Sequence, residues 1–313
     1  EVEVLDSKTI GRVRGRKGHA YTDGVICGKV SRYADRVNHP QRLMHPLKRV
    51  GPKGVGMESF TPISWEQALD ETATAFQETA KEFGSESVWP YFYAGTMGHV
   101  QRDGIDRLRH EMRYSAQHST FCITLADSGW NAGTGKKRGT DGREIAECEL
   151  LVVWGGNPVN TQINVIHQFQ KARRVRNAKL VVVDPYRTDT AEKADLHLKP
   201  RPGTDGALAC AVMHVLFRDN YADKAYMEKY TDDPAALEAH LQTRSPEWAA
   251  AITDIPVANI EMFAHSYGTT QRALIRLGYG LSRSRNGAAN LHAISCLPAV
   301  RGAWQYRGGG LYS

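Results

Sequence analysis

Residues 150–208 decide the fold, and they read LLVVWGGNPVNTQINVIHQFQKARRVRNAKLVVVDPYRTDTAEKADLHLKPRPGTDGAL. LLVVW and LVVVD are short apolar runs rich in β-branched residues, which is typical of parallel strands buried on both faces. Between them, apolar residues recur at roughly helical spacing among polar ones: Ile163, Ile166, Phe169 and Val175. This pattern predicts a strand–helix–strand unit.

Each of these strands ends at a turn, Gly155-Gly156-Asn157-Pro158 after the first and Asp184-Pro185-Tyr186-Arg187 after the second. In open α/β sheets ligands bind outside the carboxyl ends of the strands, where both turns lie. A third turn, Pro202-Gly203-Thr204-Asp205, precedes a predicted helix over residues 207–217. Taken singly, such dipeptides are ordinary turn formers, and Asp205 also fits a helix cap.

Length, charge and cysteine content narrow the classes of protein to which the chain can belong. The 313 residues suffice for one or two globular domains with a substantial core. The formal charge of +6 is modest and the basic residues are scattered, so we expect no nucleic-acid partner. No apolar run approaches the roughly 20 residues that cross a bilayer, so we expect no direct membrane span. The cysteines are odd in number and far apart, which argues against a disulfide framework: Cys27, Cys122, Cys148, Cys210 and Cys296.

Outside the central unit the pattern predicts several further elements. These are a helix over residues 61–83 capped by Ser64, an aromatic-rich strand over 87–93 and a helix over 105–114. Two helices joined at Pro256 are expected next, followed by a strand, the Gly278-x-Gly280 turn and a last helix.

The order and spacing of G-G-N-P, V-D-P-x-R-x-T and A-D-x-x-L-x-x-R-P-G-T-D resemble the molybdopterin oxidoreductase family, also called the dimethyl sulfoxide reductase family. The likeness covers essentially the whole chain. It implies an α/β fold with a small β-rich N-terminal region followed by Rossmann-like parallel-sheet domains. The implied domains are 1–60, a remnant of an iron–sulfur region; 61–140, with a metal-ligand loop; and 141–313, a pterin-dinucleotide-binding domain truncated at its C-terminal side.

The resemblance implies a cofactor, molybdopterin guanine dinucleotide carrying molybdenum or tungsten. By position, several residues resemble its contacts: Asn157, Asp184, Arg187, Gly203, Asp205 and Gly280. Carboxylates suit the guanine N–H donors, and arginine and backbone N–H groups suit the diphosphate. A glycine-rich turn before a helix can cradle a phosphate, although a lone G-x-G is a weak signal.

Residues 121–135, FCITLADSGWNAGTG, predict a strand followed by a turn with one acid, Asp127. In the resembled family, the turn after this strand presents cysteine, selenocysteine, serine or aspartate to the metal. Counting from Cys122, one alignment places Ala126 at that position and a shift of one residue places Asp127 there. We predict Asp127 as the ligand or a close neighbour of the metal, because a hard carboxylate oxygen suits a high-valent metal. An Asx turn or helix cap is the structural alternative.

Cys27-Gly28-Lys29 resembles the part of the family's iron–sulfur region that carries the fourth cluster cysteine. The family's three earlier cysteines are absent, and a [4Fe–4S] cluster usually takes four thiolates. Cys27 is therefore an orphaned ligand here, or else a plain buried thiol, and we expect the cluster in the full-length protein only. Lys29 resembles the lysine that assists electron transfer between cluster and pterin.

The resemblance implies the catalytic subunit, or its N-terminal part, of a molybdenum or tungsten oxidoreductase, formate-dehydrogenase-like or oxyanion-reductase-like. It would act on a small molecule, exchange electrons with an iron–sulfur subunit, and be inactive as an isolated fragment. The alternative is a non-catalytic electron-relay or structural relative without metal. A third hypothesis is a nucleotide-binding α/β protein that takes GDP or NAD. We expect a cytoplasmic location, with the periplasm as the alternative.

Overall fold

The computed structural model describes residues 1–91, 103–117 and 120–313. The chain forms two compact units, one of residues 1–33 and 120–313 and the other of residues 34–119. Packing units need not coincide with family domains, so the division at residues 60 and 140 stays a prediction.

The strands form three sheets in the described part of the chain. In chain order the strands are β1 Val2–Val4, β2 Ile10–Val13, β3 Leu47–Arg49, β4 Phe60–Pro62, β5 Leu150–Trp154, β6 Lys179–Val183, β7 Leu196–Leu198, β8 Ala273–Leu277 and β9 Gly310–Tyr312. Strand β1 pairs antiparallel with β2, and β3 with β4. The third sheet is parallel, with the strand order β7-β6-β5-β8-β9. The predicted fold class, a small β region followed by a parallel α/β sheet, is confirmed.

The helices account for most of the remaining regular structure. In chain order the described α-helices are α1 Gly28–Ser31, α2 Tyr33–Val37, α3 Trp65–Phe83, α4 Ile105–Met112, α5 Phe121–Thr134, α6 Pro158–Thr161, α7 Ile163–Arg176, α8 Asp205–Arg218, α9 Lys224–Tyr230, α10 Pro234–Leu241, α11 Pro246–Thr253, α12 Val257–Thr269 and α13 Gly287–Val300. None of these described helices is both long and apolar enough to cross a membrane.

Strand β5 has no exposed face, as its LLVVW sequence predicts. Val152 and Trp154 lie in the larger core with residues of α8, α12 and α13, whereas Leu151 and Val153 lie in a second core with Phe169 of α7. The predicted strand–helix–strand unit is confirmed, and β5 is the central strand of the parallel sheet, with helices packed on both sides.

Two predicted strands are wrong in the residues that the structure describes. Residues 121–134 form helix α5, which packs against α13 through glycines. A Cβ on Gly129 would lie 2.2 Å from the Ala288 carbonyl oxygen, and one on Gly133 would lie 2.0 Å from Ser295 Oγ. This close helix packing overrides the β propensity of FCITL.

The second wrong strand is the one predicted over residues 87–93. Ser85–Ser87 is a short 3₁₀ turn, and residues 88–91 join no ladder in the described chain. Residues 92 and 93 lie outside the described residues. The predicted helices nearby are confirmed, since α3 begins where Ser64 Oγ accepts the Gln67 N–H at 3.0 Å and α4 occupies most of residues 105–114.

Candidate cofactor site

The carboxyl edge of the parallel sheet brings four chain segments side by side. Trp154 at the end of β5 lies opposite Val183 of β6 and Leu277 of β8, and Val183 lies opposite Leu198 of β7. The segments that follow these strands therefore leave the sheet at one edge. They carry the predicted cofactor contacts Asn157, Asp184, Gly203, Asp205 and Gly280.

The turns after β5 and β8 touch through glycine backbone. Gly155 has a φ of +64°, and a Cβ on Gly278 would lie only 2.0 Å from the Gly155 carbonyl oxygen. A Cβ on Gly280 would lie 3.1 Å from the same oxygen. Only glycine at position 278 permits this approach, which leaves two stretches of backbone without side chains at the sheet edge.

Asp205 is a buried carboxylate, 5% exposed, and its Oδ1 accepts the Trp154 indole N–H at 2.8 Å. Burial raises the pKa of Asp205, the indole N–H opposes this shift, and the charge of Asp184 adds to it. Asp205 does not have the alternative role of a helix cap, because it is the first residue of α8, whose N-cap is Thr204.

Asp184 is the second buried carboxylate of the edge, 7% exposed. Its Oδ1 accepts the Tyr186 N–H at 3.2 Å, and its carbonyl oxygen accepts from His197 Nε2 at 3.0 Å. Burial raises the pKa of Asp184 against the influence of the Tyr186 N–H. The sheet edge thus carries two acids whose ionised forms are disfavoured by burial. Carboxylates with shifted pKa values that lie close together are typical of a ligand-binding site.

Gly203 is fixed by two asparagines, of which sequence reasoning missed Asn290. Its carbonyl oxygen accepts from Asn286 Nδ2 at 2.8 Å and from Asn290 Nδ2 at 3.1 Å, and its φ is +84°. Asn290 Oδ1 in turn accepts the Gly206 N–H at 3.0 Å. These bonds connect the beginnings of α8 and α13. Their partners lie more than 80 positions apart in the chain, so no local signal could have revealed them.

Asn157 and Arg187 differ from the buried acids of the sheet edge, because Asn157 joins two loops and Arg187 is exposed. Asn157 Oδ1 accepts from Thr190 Oγ1 at 2.7 Å, which joins the turn after β5 to the loop after β6. Arg187 extends into solvent, where its Nε lies 3.2 Å from Glu192 Oε1. An ion pair this exposed contributes little to stability, so Arg187 can leave Glu192 and pair with an anionic ligand instead.

Asp127 lies on helix α5, not in a turn after a strand. Its Oδ1 forms an ion pair with Lys137 Nζ at 2.6 Å, although the contact lacks hydrogen-bond geometry. Lys137 Nζ lies 5.2 Å from the ring centroid of Tyr279, the middle residue of the Gly278-x-Gly280 turn. Asp127 is therefore connected to the sheet edge through Lys137, whereas Ala126, the alternative position, packs in the core.

Cys122, which sequence reasoning placed inside a strand, lies in the first turn of α5. Its carbonyl oxygen accepts from Ser282 Oγ at 2.8 Å, two residues beyond Gly280. Its thiol is half-buried and not in a disulfide. The sequence could have identified Cys122 as a candidate metal ligand, since cysteine is among the ligand types of the resembled family.

Cys27 and Lys29 lie on the N-terminal segment, at the beginning of α1. The Val30 N–H, and then that of Lys29, hold the pKa of the Cys27 thiol below its usual range. In residues 1–91, 103–117 and 120–313 no group of three or more His, Cys, Asp or Glu side chains is placed to bind a metal ion. The described chain therefore offers Cys27 no partner ligands for a cluster.

The N-terminal segment packs on the sheet unit. Gln168 Nε2 donates to the Tyr21 carbonyl oxygen at 2.6 Å, and Lys171 Nζ forms an ion pair with Asp23 at 2.9 Å. Gln168 and Lys171 both belong to helix α7, so the residues just before Cys27 are held against the strand–helix–strand unit. Within the described chain, no hydrogen bond or ion pair joins the side chains of Cys27 and Lys29 to those of the sheet-edge residues.

Residues 42–311 match the family described as "Molybdopterin oxidoreductase". The chain belongs to this family. It is 36% identical over 310 residues to "Probable oxidoreductase YoaE" of Bacillus subtilis (strain 168), covering 99% of this chain and 45% of that protein. It is 32% identical over 312 residues to "Dimethyl sulfoxide reductase DmsA" of Escherichia coli (strain K12), covering 88% of this chain and 37% of that protein. This molybdopterin oxidoreductase chain thus spans less than half the length of these relatives.

A solved structure is similar as well. The chain resembles acetylene hydratase from Pelobacter acetylenicus with a TM-score of 0.78 and 25% identity, over 99% of this chain and 42% of that one. The sheet edge offers groups of the kind that suit a molybdopterin cofactor. They comprise side-chain-free backbone at Gly155 and Gly278, and the buried carboxylates of Asp184 and Asp205.

Proposed function

We propose that the chain is the N-terminal part of the catalytic subunit of an oxidoreductase that uses molybdenum or tungsten held by pterin guanine dinucleotides. The observation that carries this proposal is the convergence of two buried carboxylates and two glycine turns at one sheet edge. When bound, the pterin-held metal supplies two-electron chemistry at a small-molecule substrate, formate-like or an oxyanion.

The protein's part is to bind and orient the cofactor. Asp205 and Asp184 are buried acceptors that suit the N1–H and N2–H₂ donors of guanine. Charge-assisted bonds to these donors would compensate for the desolvation that raises the pKa of both acids. Backbone N–H groups around Gly155 and Gly280 suit the diphosphate, and Arg187 supplies an exchangeable positive charge.

The proposal is tested on the full-length protein by metal analysis and by nucleotide analysis after the cofactor is released. We expect molybdenum or tungsten together with guanine nucleotide. A well-folded preparation without either metal would contradict the enzyme and favour the non-catalytic relative. Binding of free GDP or NAD without any pterin would favour the plain nucleotide-binding protein.

Asp127 is our proposed protein ligand to the metal. Its carboxylate forms an ion pair with Lys137 at 2.6 Å, and it must give up this ion pair to bind a metal ion. Cys122 is the rival, because it lies in the first turn of α5 and, among the described residues, its thiol has no ion pair to give up. A thiolate at a helix N-terminus is an established type of metal ligand.

X-ray absorption at the metal edge separates the two ligands in the full-length protein. We expect Asp127→Ala to remove one oxygen neighbour of the metal and Cys122→Ala to leave the spectrum unchanged. If Cys122→Ala instead removes one sulfur neighbour while Asp127→Ala changes nothing, the ligand is Cys122.

We propose in addition that electrons pass by way of Lys29 and a [4Fe–4S] cluster at Cys27 to an iron–sulfur subunit. The backbone N–H groups that lower the pKa of the Cys27 thiol favour the thiolate that a cluster requires. Three further cysteines N-terminal to Cys27 in the full-length protein would support this route. We also propose a cytoplasmic location.

A further inference from the structure

Arg276 is a buried cation that the proposed cofactor contacts do not use. It lies in strand β8 and is 4% exposed. Its Nη1 donates to the Leu277 carbonyl oxygen, and its Nε has no hydrogen-bond partner. Across the described part of the chain no carboxylate forms an ion pair with it. Because a guanidinium stays protonated in proteins, burial leaves this positive charge uncompensated.

Tyrosines, not acids, surround this guanidinium. Its carbon lies 4.9 Å from the Tyr312 ring centroid, and the hydroxyls of Tyr21 and Tyr279 are its other electrostatic neighbours. A cation over an aromatic ring gains some stabilisation, but the ring covers one face of the guanidinium and leaves the Nε edge free. Tyr279 belongs to the glycine turn at the carboxyl edge, so the cluster lies close to the proposed cofactor site.

The hydroxyls of two of these tyrosines lie next to each other. Tyr21 Oη lies 3.4 Å from Tyr312 Oη. A Cβ on Gly142 would lie 3.2 Å from both rings, so a short 3₁₀ turn, Gly142–Glu147, packs directly against them. Burial raises the pKa of Tyr21 to about 12, which keeps its hydroxyl protonated at neutral pH. Tyr21 and Tyr279 are half-buried, so the cluster lies just below the surface.

We propose that Arg276, with the hydroxyls of Tyr21 and Tyr312, forms a binding site for an oxyanion of the phosphate type. The planar N–H fork of arginine matches two oxygens of such a group, and hydroxyl donors can satisfy a third. The oxyanion supplies the negative charge that the surrounding residues lack. Its source is either a phosphate of the proposed cofactor or a free oxyanion, and the recognising chemistry is the same.

The test uses inorganic phosphate with the full-length protein, both cofactor-free and cofactor-loaded. For the cofactor-free protein we expect phosphate to raise the unfolding temperature and to bind in calorimetry. Arg276→Met is expected to abolish both effects. Arg244→Met is the matched control, because Arg244 also stacks on an aromatic ring, 5.1 Å from the Trp248 centroid, and should leave both unchanged.

A second variant keeps the test decisive if Arg276→Met does not fold. Tyr21→Phe retains the ring and removes one donor, so phosphate affinity should fall about tenfold. An undiminished response to phosphate in Arg276→Met, or an unchanged affinity in Tyr21→Phe, overturns the proposal.

The loaded protein identifies the source of the oxyanion. Loss of the phosphate response on loading assigns the site to a cofactor phosphate, whereas a retained response assigns it to a free oxyanion. Because the cofactor-free protein is measured first, its phosphate response tests the site whether or not the metal and pterin are found. Absence of any phosphate response in both forms overturns the proposal without affecting the proposed function.

Discussion

Gly278→Ala is expected to lower the free energy of unfolding of the sheet unit by about 3 kcal/mol, the upper end of the range for overpacked sites. The new Cβ would lie 2.0 Å from the carbonyl oxygen and 2.7 Å from the carbonyl carbon of Gly155. Both are backbone atoms at the end of the central strand, and β5 and β8 are paired along their whole length. Neither strand can yield without losing ladder hydrogen bonds.

Gly156→Ala is the matched control for this variant. It lies in the facing turn, next to Gly155, but its Cβ would meet nothing closer than 3.8 Å, and its backbone is not left-handed. We expect a change within about 0.5 kcal/mol. Hydrogen exchange of the β5 and β8 amides measures the effect locally. Equal protection in the two variants would show that the turns after β5 and β8 do not touch as described.

The central unit could be predicted because its signals are local. LLVVW and LVVVD read as buried strands, and each is followed by its turn within a few residues, so the sheet edge followed from position alone, whereas the predicted cofactor contacts on it came from the family resemblance. Helix α5 could not be predicted in this way. FCITL has β-branched residues, but the packing of Gly129 and Gly133 against α13, far along the chain, decides its conformation.

The partners of the site residues were also hidden from the sequence. Asp205 looked like a cap because a cap needs only its own helix, whereas its true partner, Trp154, lies 51 residues earlier. Arg276 stands in an apolar run, LIRLG, where a single charge is easily taken for an exposed residue at the end of a strand. Its isolation from carboxylates is a property of the packed structure.

Asp205→Asn is expected to have opposite effects on stability and on cofactor binding. Burial raises the pKa of Asp205 in the folded chain. A raised carboxyl pKa means that the neutral acid stabilises the fold below about pH 4, near the unfolded value, and that this contribution is lost as the pH rises through the folded value. Asparagine keeps an oxygen for the Trp154 indole and carries no charge. The variant should therefore gain stability relative to the native protein as the pH rises above about 4.

Cofactor binding should change in the other direction. Asparagine cannot offer a carboxylate to the guanine donors, and a hydrogen bond to a charged group contributes about 1.5–3 kcal/mol. We therefore expect guanine nucleotide retained after purification to fall by at least about tenfold. Asp232→Asn is the control, because Asp232 is exposed and outside the sheet edge, and it should change neither quantity.

The combination of outcomes is what discriminates between the roles of Asp205. A purely structural acid would show the pH-dependent gain in stability with unchanged nucleotide content. A carboxylate that binds guanine must show both changes, because the desolvation that destabilises the empty fold is the same property that strengthens its bonds to buried donors. Loss of nucleotide without any change in the pH dependence of unfolding would mean that Asp205 is not desolvated in solution, contrary to its 5% exposure and its contact with Trp154.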